Sequence, residues 1–471
     1  MYIPITKSKL VGWNIWRLVI LPICMVALFV SCGSDDEDNK YNPNQPFQVS
    51  SFYPKEGKFQ QKIILDGENL PNDPKLIKVY FNKRIAPVIG STGKEMYVMA
   101  PRLPGNAEGF PEPEPSGTGN KRGVCQISVV INGDSLVYND TFIYEEAVTV
   151  TTIAGNGALM EFQEGTLAAA VFQPYYICMD KDDNVFITSR SSDNTTYNYF
   201  CRLNEELNIF ERLQSSSLQA NVPCADPVTG VITATTESSI GSFITCDPTE
   251  YWAPRRREMK WLTAPAHNQY GWKHCMVVNP TLQKDVNGND VNFVYTRWYQ
   301  GALVRVNPNT YEAEVLMETG TCNTYGMTFR PGEPNILYLA FWSDPHEHQN
   351  SICTIDLNED PPVVTKLSST NTSGGHRDGP LSMAQFRQPA QIFSDDDGFI
   401  YIADYGNHCI RRITPENQVE TVLGIPGVAG YKDGSREEAL FNNPRGIAIS
   451  TDGSVYVADY RNGRLRKLSV N

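Results

Sequence analysis

A repeated segment constrains the fold of this chain more than any other feature of its sequence. Two stretches, residues 386–413 and 441–468, read FRQPAQIFSDDDGFIYIADYGNHCIRRI and FNNPRGIAISTDGSVYVADYRNGRLRKL. Each begins with Phe and Pro, continues with an apolar strand and an Asp/Gly turn, and then gives two further strands. Residues 172–190 repeat the first half of the pattern. The repeats predict a chain built from sheets of short strands.

These segments resemble NHL repeats, whose units form the blades of β-propellers. Weaker copies start near residues 223, 273 and 325, at a spacing of roughly fifty residues. We therefore expect a six-bladed NHL-type propeller over residues 147–471. The last repeat supplies only three strands, so we expect the strand at 147–155 to complete that blade and close the ring.

Residues 47–146 predict a separate module. Several short strands, and a hairpin turned at Asn132-Gly133, favour an immunoglobulin-like sandwich. The segment resembles the IPT/TIG family, and the matching positions are Phe52, Pro54, Gly57, Gly67, Asn69, Leu70, Phe142 and Tyr144. That resemblance implies a spacer. The whole chain is thus predicted to be all-β.

The N-terminus has the pattern of an exported protein. A basic start precedes an apolar run at 18–30, which is too short to span a bilayer. This pattern predicts a signal peptide over 1–31, and Cys32 resembles the lipobox cysteine of bacterial lipoproteins, which implies its lipidation. An acidic and polar tether is expected at 32–46, and within it Ser34, Asp35, Asp36 and Glu37 resemble the export signal of Bacteroidetes surface lipoproteins. A tether facing the periplasm and an uncut N-terminal anchor remain alternatives.

Charge and cysteine content narrow the possible functions. The net charge of −13 argues against nucleic-acid binding, which needs a basic face. Of the 11 cysteines, nine lie outside Cys24 and Cys32, and several fall inside apolar strands. We expect mostly buried thiols, with room for one disulfide bridge.

Aligning the repeats places aromatic and polar side chains together on one face of the predicted propeller. Flat aromatic rings beside hydrogen-bonding groups suit sugar rings. The predicted ligand-binding residues are Tyr175, Arg190, Arg297, Trp298, Tyr299, Trp342, Tyr405, Asn407, Arg445 and Tyr460. The alternative is that the rings pack between blades and that Asp404 and Asp459 cap turns.

Other chemistry has weaker support. His274 or Tyr299 could remove a proton alpha to a carboxylate that Arg297 neutralises, as in a polysaccharide lyase. His346 and His348 could ligate a metal, although alternate spacing in a polar segment is more typical of a solvated loop. We expect no cofactor.

The combination of a lipoprotein signal, an IPT/TIG module and an NHL propeller resembles the surface lipoproteins of Bacteroidetes glycan-uptake systems. The resemblance implies an outer-membrane protein, anchored by lipid alone and facing the exterior, that binds a polysaccharide. Its expected partners are an outer-membrane transporter or other surface lipoproteins. A lyase-like enzyme and a protein–protein scaffold remain the alternatives.

Overall fold

The computed structural model describes residues 41–102, 104–114, 121–146, 148–159, 161–190, 198–213, 219–236, 241–263, 265, 273–299, 301–318, 322–343 and 348–470. The predicted signal peptide, Cys32 and most of the tether lie outside them. The described chain is all-β, and its helical turns are the short 3₁₀ segments Pro74–Leu76, Pro248–Glu250, Leu381–Met383, Tyr405–Asn407 and Tyr460–Asn462. Within these ranges, no helix has the length and apolar character needed to cross a membrane.

Residues 48–146 form a sandwich of two sheets. The first contains, in spatial order, Gln48–Tyr53, Lys62–Glu68, Glu95–Met99 and Val88–Ser91. The second contains Glu56–Gly57, Asp134–Glu146, Lys121–Ile131, Ile77–Phe81 and Arg84–Ala86. Residues 63, 65 and 67 of the second strand are buried while their neighbours are more exposed, as expected for a strand with one face on a core. Phe52 and Leu65 pack with Phe81 and Phe142 of the other sheet.

Six sheets of four or five strands follow in the described ranges, and we number them in chain order with the innermost strand first. Sheets 1 and 2 comprise Pro174–Met179, Val185–Arg190, Asn198–Asn204 and Ile209–Arg212, then Ala220–Ala225, Ile232–Thr236, Ser242–Cys246 and Arg255–Glu258. Sheet 3 comprises Lys273–Val278, Val294–Trp298, Ala302–Val306, Glu312–Glu318 and Lys260–Thr263. Sheet 4 comprises Asn323–Phe329, Ile336–Ser343, Ser351–Asp356 and Val364–Lys366.

The last two sheets contain the strongest repeats. Sheet 5 comprises Pro389–Ser394, Ile400–Asp404, Cys409–Ile413, Gln418–Leu423 and Gly379–Pro380. Sheet 6 comprises Pro444–Ile449, Val455–Asp459, Arg464–Val470, Val148–Ala154 and Gly434–Ser435. A small hairpin, Gln283–Lys284 with Asp290–Val291, extends from sheet 3. Sheet 6 therefore joins the first strand after the sandwich to the last strand of the chain, in antiparallel register.

The six innermost strands contact one another in a ring. Each touches the next in chain order, and the innermost strand of sheet 6 touches that of sheet 1. The Gln391 side chain on the innermost strand of sheet 5 reaches the innermost strands of sheets 1 and 6. Its amide donates to the Ile177 carbonyl on sheet 1, while its oxygen accepts from the backbone N–H groups of Ile177 and Ile447. The arrangement is propeller-like, and Gln391 ties three inner strands together.

The sandwich is fixed to one face of the ring. Arg84 is 7% exposed, forms ion pairs with Asp395 and Asp397, and lies 4.1 Å from the Phe399 ring centroid. These partners lie at the turn between the first and second strands of sheet 5. Three further ion pairs follow on the same side of the molecule: Lys83–Glu416, Arg102–Asp452 and Glu146–Arg436. We call this side the docking face.

The cysteines contribute to packing. The nine cysteines of the described chain form no disulfide, and all but Cys224 are buried. Burial raises the pKa of thiols such as Cys178 and Cys275 well above the ordinary value. The expectation of buried thiols is confirmed, and the optional bridge is not formed because the cysteines serve as small apolar side chains.

Candidate functional site

The face of the ring opposite the docking face is called the open face. It is formed where the innermost strands begin and the second strands end. Antiparallel pairing brings these points together, with Pro389 opposite Asp404 and Pro444 opposite Asp459. Side chains at both points therefore gather around the axis of the ring.

Six aromatic side chains form a continuous circuit on the open face, which we call the aromatic cradle. They come from sheets 1, 4, 5 and 6, in the order Tyr175, Tyr176, Tyr325, Trp342, Tyr405 and Tyr460. Successive ring centroids around this circuit are separated by 6.2, 5.5, 5.7, 4.4, 6.3 and finally 5.1 Å. Tyr176 is fully buried, whereas the other five rings are partly exposed.

Arg445 lies inside this cradle. Its guanidinium carbon is 4.3–5.6 Å from the centroids of five of the six rings, which belong to Tyr175, Tyr176, Tyr325, Trp342 and Tyr460. The Arg445 Nε–H donates to the Tyr176 hydroxyl at 2.9 Å. Electron-rich ring faces attract a cation at these distances. The cradle therefore holds a fixed positive charge at its centre.

The two aspartates at the ends of the second strands are part of the framework. Asp404 and Asp459 are both 0% exposed and pair with Arg411 at 3.0 Å and Arg466 at 2.8 Å. Burial raises the pKa of each aspartate to about 6, against the opposing effect of its arginine. The alternative weighed from the sequence, in which these residues serve the turns, agrees with this geometry.

Asn407 belongs to the same framework, and its prediction as a ligand-binding residue is wrong. It is 3% exposed, and its amide donates to the Gly375 carbonyl at 2.7 Å and to Asp404 Oδ2 at 2.8 Å. Asn462 makes the equivalent bond to Asp459 in sheet 6. The side chain is thus occupied in holding the turn after the second strand.

The prediction of an accessible ring at Trp298 is also wrong. The side chain is 0% exposed and lies edge-on to Trp261, with ring centroids 5.7 Å apart. It packs with Phe243 of sheet 2, because the end of its strand faces the neighbouring sheet rather than the axis. Arg297 is likewise 0% exposed and donates to the Gly301 carbonyl, so direct contact with a ligand is not available to it.

His274 and Tyr299 do lie together, with ring centroids 5.6 Å apart, and Tyr325 is 4.8 Å from His274. Burial, followed by the charges of Arg445 and Arg297, lowers the pKa of His274 to about 3. A histidine with this pKa is neutral near pH 7 and only weakly basic. An effective general base has a pKa close to the working pH instead. Two of the three predicted lyase residues therefore lie together, but the pKa of the histidine is too low for a general base and Arg297 is buried.

The remaining predicted residues lie at the margin of the site. Arg190 ends the second strand of sheet 1. Burial raises the pKa of Tyr175 to about 12, and the charge of Arg190 opposes that rise. His346 lies outside the described residues, and the His348 ring is 5.4 Å from Phe341. No group of three or more His, Cys, Asp or Glu side chains in the described ranges is placed to hold a metal ion.

Sequence reasoning missed the polar framework behind the cradle. Arg411 also contacts Asp378 at 2.5 Å, and Arg466 contacts Asp433 at 2.6 Å. The signal was present, since both outer aspartates precede a glycine in the lead-in to a repeat, HRDG and YKDG. Tyr325 was also omitted from the predicted ligand set, although it lies at a strand start that matches Tyr175 and Tyr176.

Comparison with known proteins agrees on the repeats. The NHL repeat family model matches residues 386–413 and 441–468, which confirms the prediction for these two segments. The chloroplastic protein SUPPRESSOR OF QUENCHING 1 of Arabidopsis thaliana is 33% identical over 97 residues, covering 21% of this chain and 9% of that protein. Human NHL repeat-containing protein 2 is 38% identical over 71 residues, covering 15% of this chain and 10% of that protein. The chain thus matches only a small part of each relative.

Solved structures share the architecture over nearly the whole chain. A protein of unknown function from Bacteroides thetaiotaomicron superimposes with a TM-score of 0.69 at 22% identity, covering 92% of this chain and 100% of that one. Proteins described as auxiliary nutrient binding proteins, from B. thetaiotaomicron and Bacteroides ovatus, each give a TM-score of 0.55 at 20% identity. They cover 92% and 91% of this chain and 99% of their own. At these identities the likeness establishes the fold alone.

Proposed function

We propose that this chain is a surface lipoprotein that binds a glycan in the aromatic cradle of a propeller. The propeller has six blades of NHL type over residues 147–471, closed by the strand at 147–155. An IPT/TIG module at 47–146 carries it, and lipid on Cys32 with the tether at 32–46 anchors it. The observation that carries the proposal is the aromatic cradle itself.

The cradle has the geometry that sugar binding requires. Five rings from four sheets stay partly exposed although each also contacts another ring. An exposed group of rings on one face is unusual for a soluble surface and marks an interaction site. The sheets fix the rings in position, so little side-chain entropy is lost when a flat apolar sugar face stacks on them.

The position of the sandwich also supports the proposal. The sandwich holds the docking face through Arg84 and Arg102, so the cradle points away from the segment that leads to the tether. Two structural neighbours of the whole chain are described as nutrient binding proteins. A polysaccharide on its way to an outer-membrane transporter, or to other surface lipoproteins, is a nutrient in this sense.

The binding function is tested by affinity electrophoresis of the exported chain lacking Cys32. A panel of neutral and acidic polysaccharides is cast into native gels, and wild type runs beside Trp342→Ala and Tyr405→Ala. We expect retardation by at least one glycan, weakened about tenfold or more in both variants, because each loses a central stacking surface. Tyr251→Ala is the matched control, since this tyrosine is 88% exposed and lies on the docking-face side of sheet 2.

Two results would contradict the proposal. Retardation that survives in both cradle variants would place the glycan elsewhere on the molecule. No retardation by any polysaccharide would favour the protein–protein scaffold, and partner capture from outer membranes would then replace the glycan panel.

The anchoring is tested separately in cells. Cys32→Ser is expected to abolish labelling with a radioactive fatty acid and to release the protein from the outer membrane. Protease added to intact cells should remove the wild-type protein if it faces the exterior. Protection from that protease would instead support a tether that faces the periplasm.

A further inference from the structure

The cradle has an uneven distribution of charge. Asp404 and Asp459, which directly precede the cradle residues Tyr405 and Tyr460, are fully buried and paired with Arg411 and Arg466. The second carboxylate of each network is held at an outer strand, where Asp378 accepts from Thr421 and Asp433 accepts from Thr152. Negative charge is thereby withdrawn from the centre of the open face.

Positive charge remains at the centre. Arg445 forms no ion pair with any carboxylate that the structure describes, and only its Nε–H is bonded, to the Tyr176 hydroxyl. The charged groups that act on the pKa values of Tyr175 and His274 are all arginines: Arg190, Arg297 and Arg445. The two terminal nitrogens of Arg445 have no partner in the described chain, which leaves a planar pair of donors inside a partly dehydrated cage.

Such a pair of donors matches one kind of ligand. Guanidinium groups bind carboxylate, sulfate and phosphate oxygens in bidentate geometry, and these bonds are about twice as strong as neutral ones. The rings around Arg445 would hold the rest of a sugar while its acidic group meets the cation. A neutral sugar would leave the charge without a counterion.

From this arrangement we infer that the ligand of the cradle is anionic: a saccharide whose carboxylate or sulfate group binds the Arg445 guanidinium. The inference rests on the proposed glycan-binding function and names the chemical class of its ligand. The overall charge of the chain is −13, so general electrostatic attraction would repel such a polymer. Binding of an acidic glycan must therefore come from a local site.

The ligand side is tested with paired polymers. Polygalacturonate is compared with its carboxyl-reduced form, and dextran sulfate with dextran, using wild-type protein at fixed ionic strength. We expect an acidic polymer to bind at least about tenfold more tightly than its neutral partner, and that preference to fall as NaCl is raised. The two pairs distinguish a carboxylate from a sulfate as the recognised group.

The protein side uses three variants of one residue type. Arg445→Gln should remove the preference for the acidic polymer, whereas Arg445→Lys should keep part of it by retaining the charge. Arg255→Gln, an exposed arginine on the outermost strand of sheet 2, should behave as wild type. Thermal unfolding of each variant identifies any loss of binding that comes from misfolding. If Arg445→Gln is misfolded, the comparison of acidic and neutral polymers on wild type still tests the inference.

The outcomes separate the two levels of the proposal. Equal binding of acidic and neutral polymers, or a preference that survives in Arg445→Gln, would overturn the anionic assignment and leave glycan binding intact. Failure of wild type to bind any polymer would overturn both.

Discussion

Replacing Arg466 with methionine should destabilise sheet 6 strongly. Arg466 and Asp459 are each 0% exposed, and their side chains are 2.8 Å apart. Without the arginine, Asp459 keeps bonds from the Asn442 backbone and the Asn462 amide but loses its only charged partner in the described chain. Removing one member of a buried pair costs about 3–5 kcal/mol, because the other charge stays uncompensated. We expect that loss in the free energy of unfolding.

The assay is urea unfolding of the chain without residues 1–32, followed by tryptophan fluorescence and by circular dichroism. A second variant carries Arg466→Met together with Asp459→Leu, which removes both charges. This double variant should recover a large part of the lost stability, since neither charge is left buried. Arg461→Met, which changes an exposed arginine of the same turn, should stay within about 0.5 kcal/mol of wild type.

The pH dependence gives an independent check of the same reasoning. Burial raises the pKa of Asp459 to about 6 in the folded protein, while an unfolded aspartate titrates near about 3.9. The folded state therefore binds more protons between these values, and the stability from this group is lost as the pH rises through them. The deficit of Arg466→Met should shrink between pH 7 and pH 4. A double variant as unstable as Arg466→Met alone, or a deficit that does not vary with pH, would refute this account.

Three further outcomes are expected. Arg84→Ala should loosen the sandwich from the docking face and broaden the small-angle scattering profile, because the charged bonds of Arg84 contribute about 1.5–3 kcal/mol. The exposed ion pair of Lys83 contributes about 0–1 kcal/mol, so Lys83→Ala should leave the profile unchanged. His274 should stay neutral in NMR titrations from pH 8 down to about pH 4, since its folded pKa lies near 3, and its contribution to stability should fall as the pH drops below about 6.5. In native protein a thiol reagent should modify at most Cys224 quickly, and in urea it should modify all nine described cysteines.

The sheets of the ring were predictable because their signal is local. A Pro, an alternation of apolar residues and an Asp/Gly turn specify a pair of strands within about twenty residues. The starts predicted near 223, 273 and 325 lie close to the innermost strands Ala220–Ala225, Lys273–Val278 and Asn323–Phe329. The position within the repeat was therefore enough to predict a strand, even where the residues differ from those of the strongest repeats.

The site was less predictable, because exposure depends on which neighbour a side chain meets. Trp298 is the last residue of its second strand and Trp342 the last but one, yet Trp342 joins the cradle and Trp298 packs against sheet 2. Position in the repeat could not distinguish them. Arg445 was among the predicted ligand-binding residues, but its place among five rings was not predictable, since those rings come from segments up to 270 residues away in sequence, as for Tyr175.

The pairing of Val148–Ala154 with Arg464–Val470 has a consequence for biogenesis. Sheet 6 cannot be completed until residues 464–470 have been made, because they pair with residues 148–154. Until then, the strand after the sandwich keeps an open edge, which is a site for mispairing. Pairing of segments so distant in the chain is also intrinsically slow. Folding should therefore be limited by this pairing, and deletion of residues 464–470 should yield a chain that is degraded or aggregates although five sheets could still form.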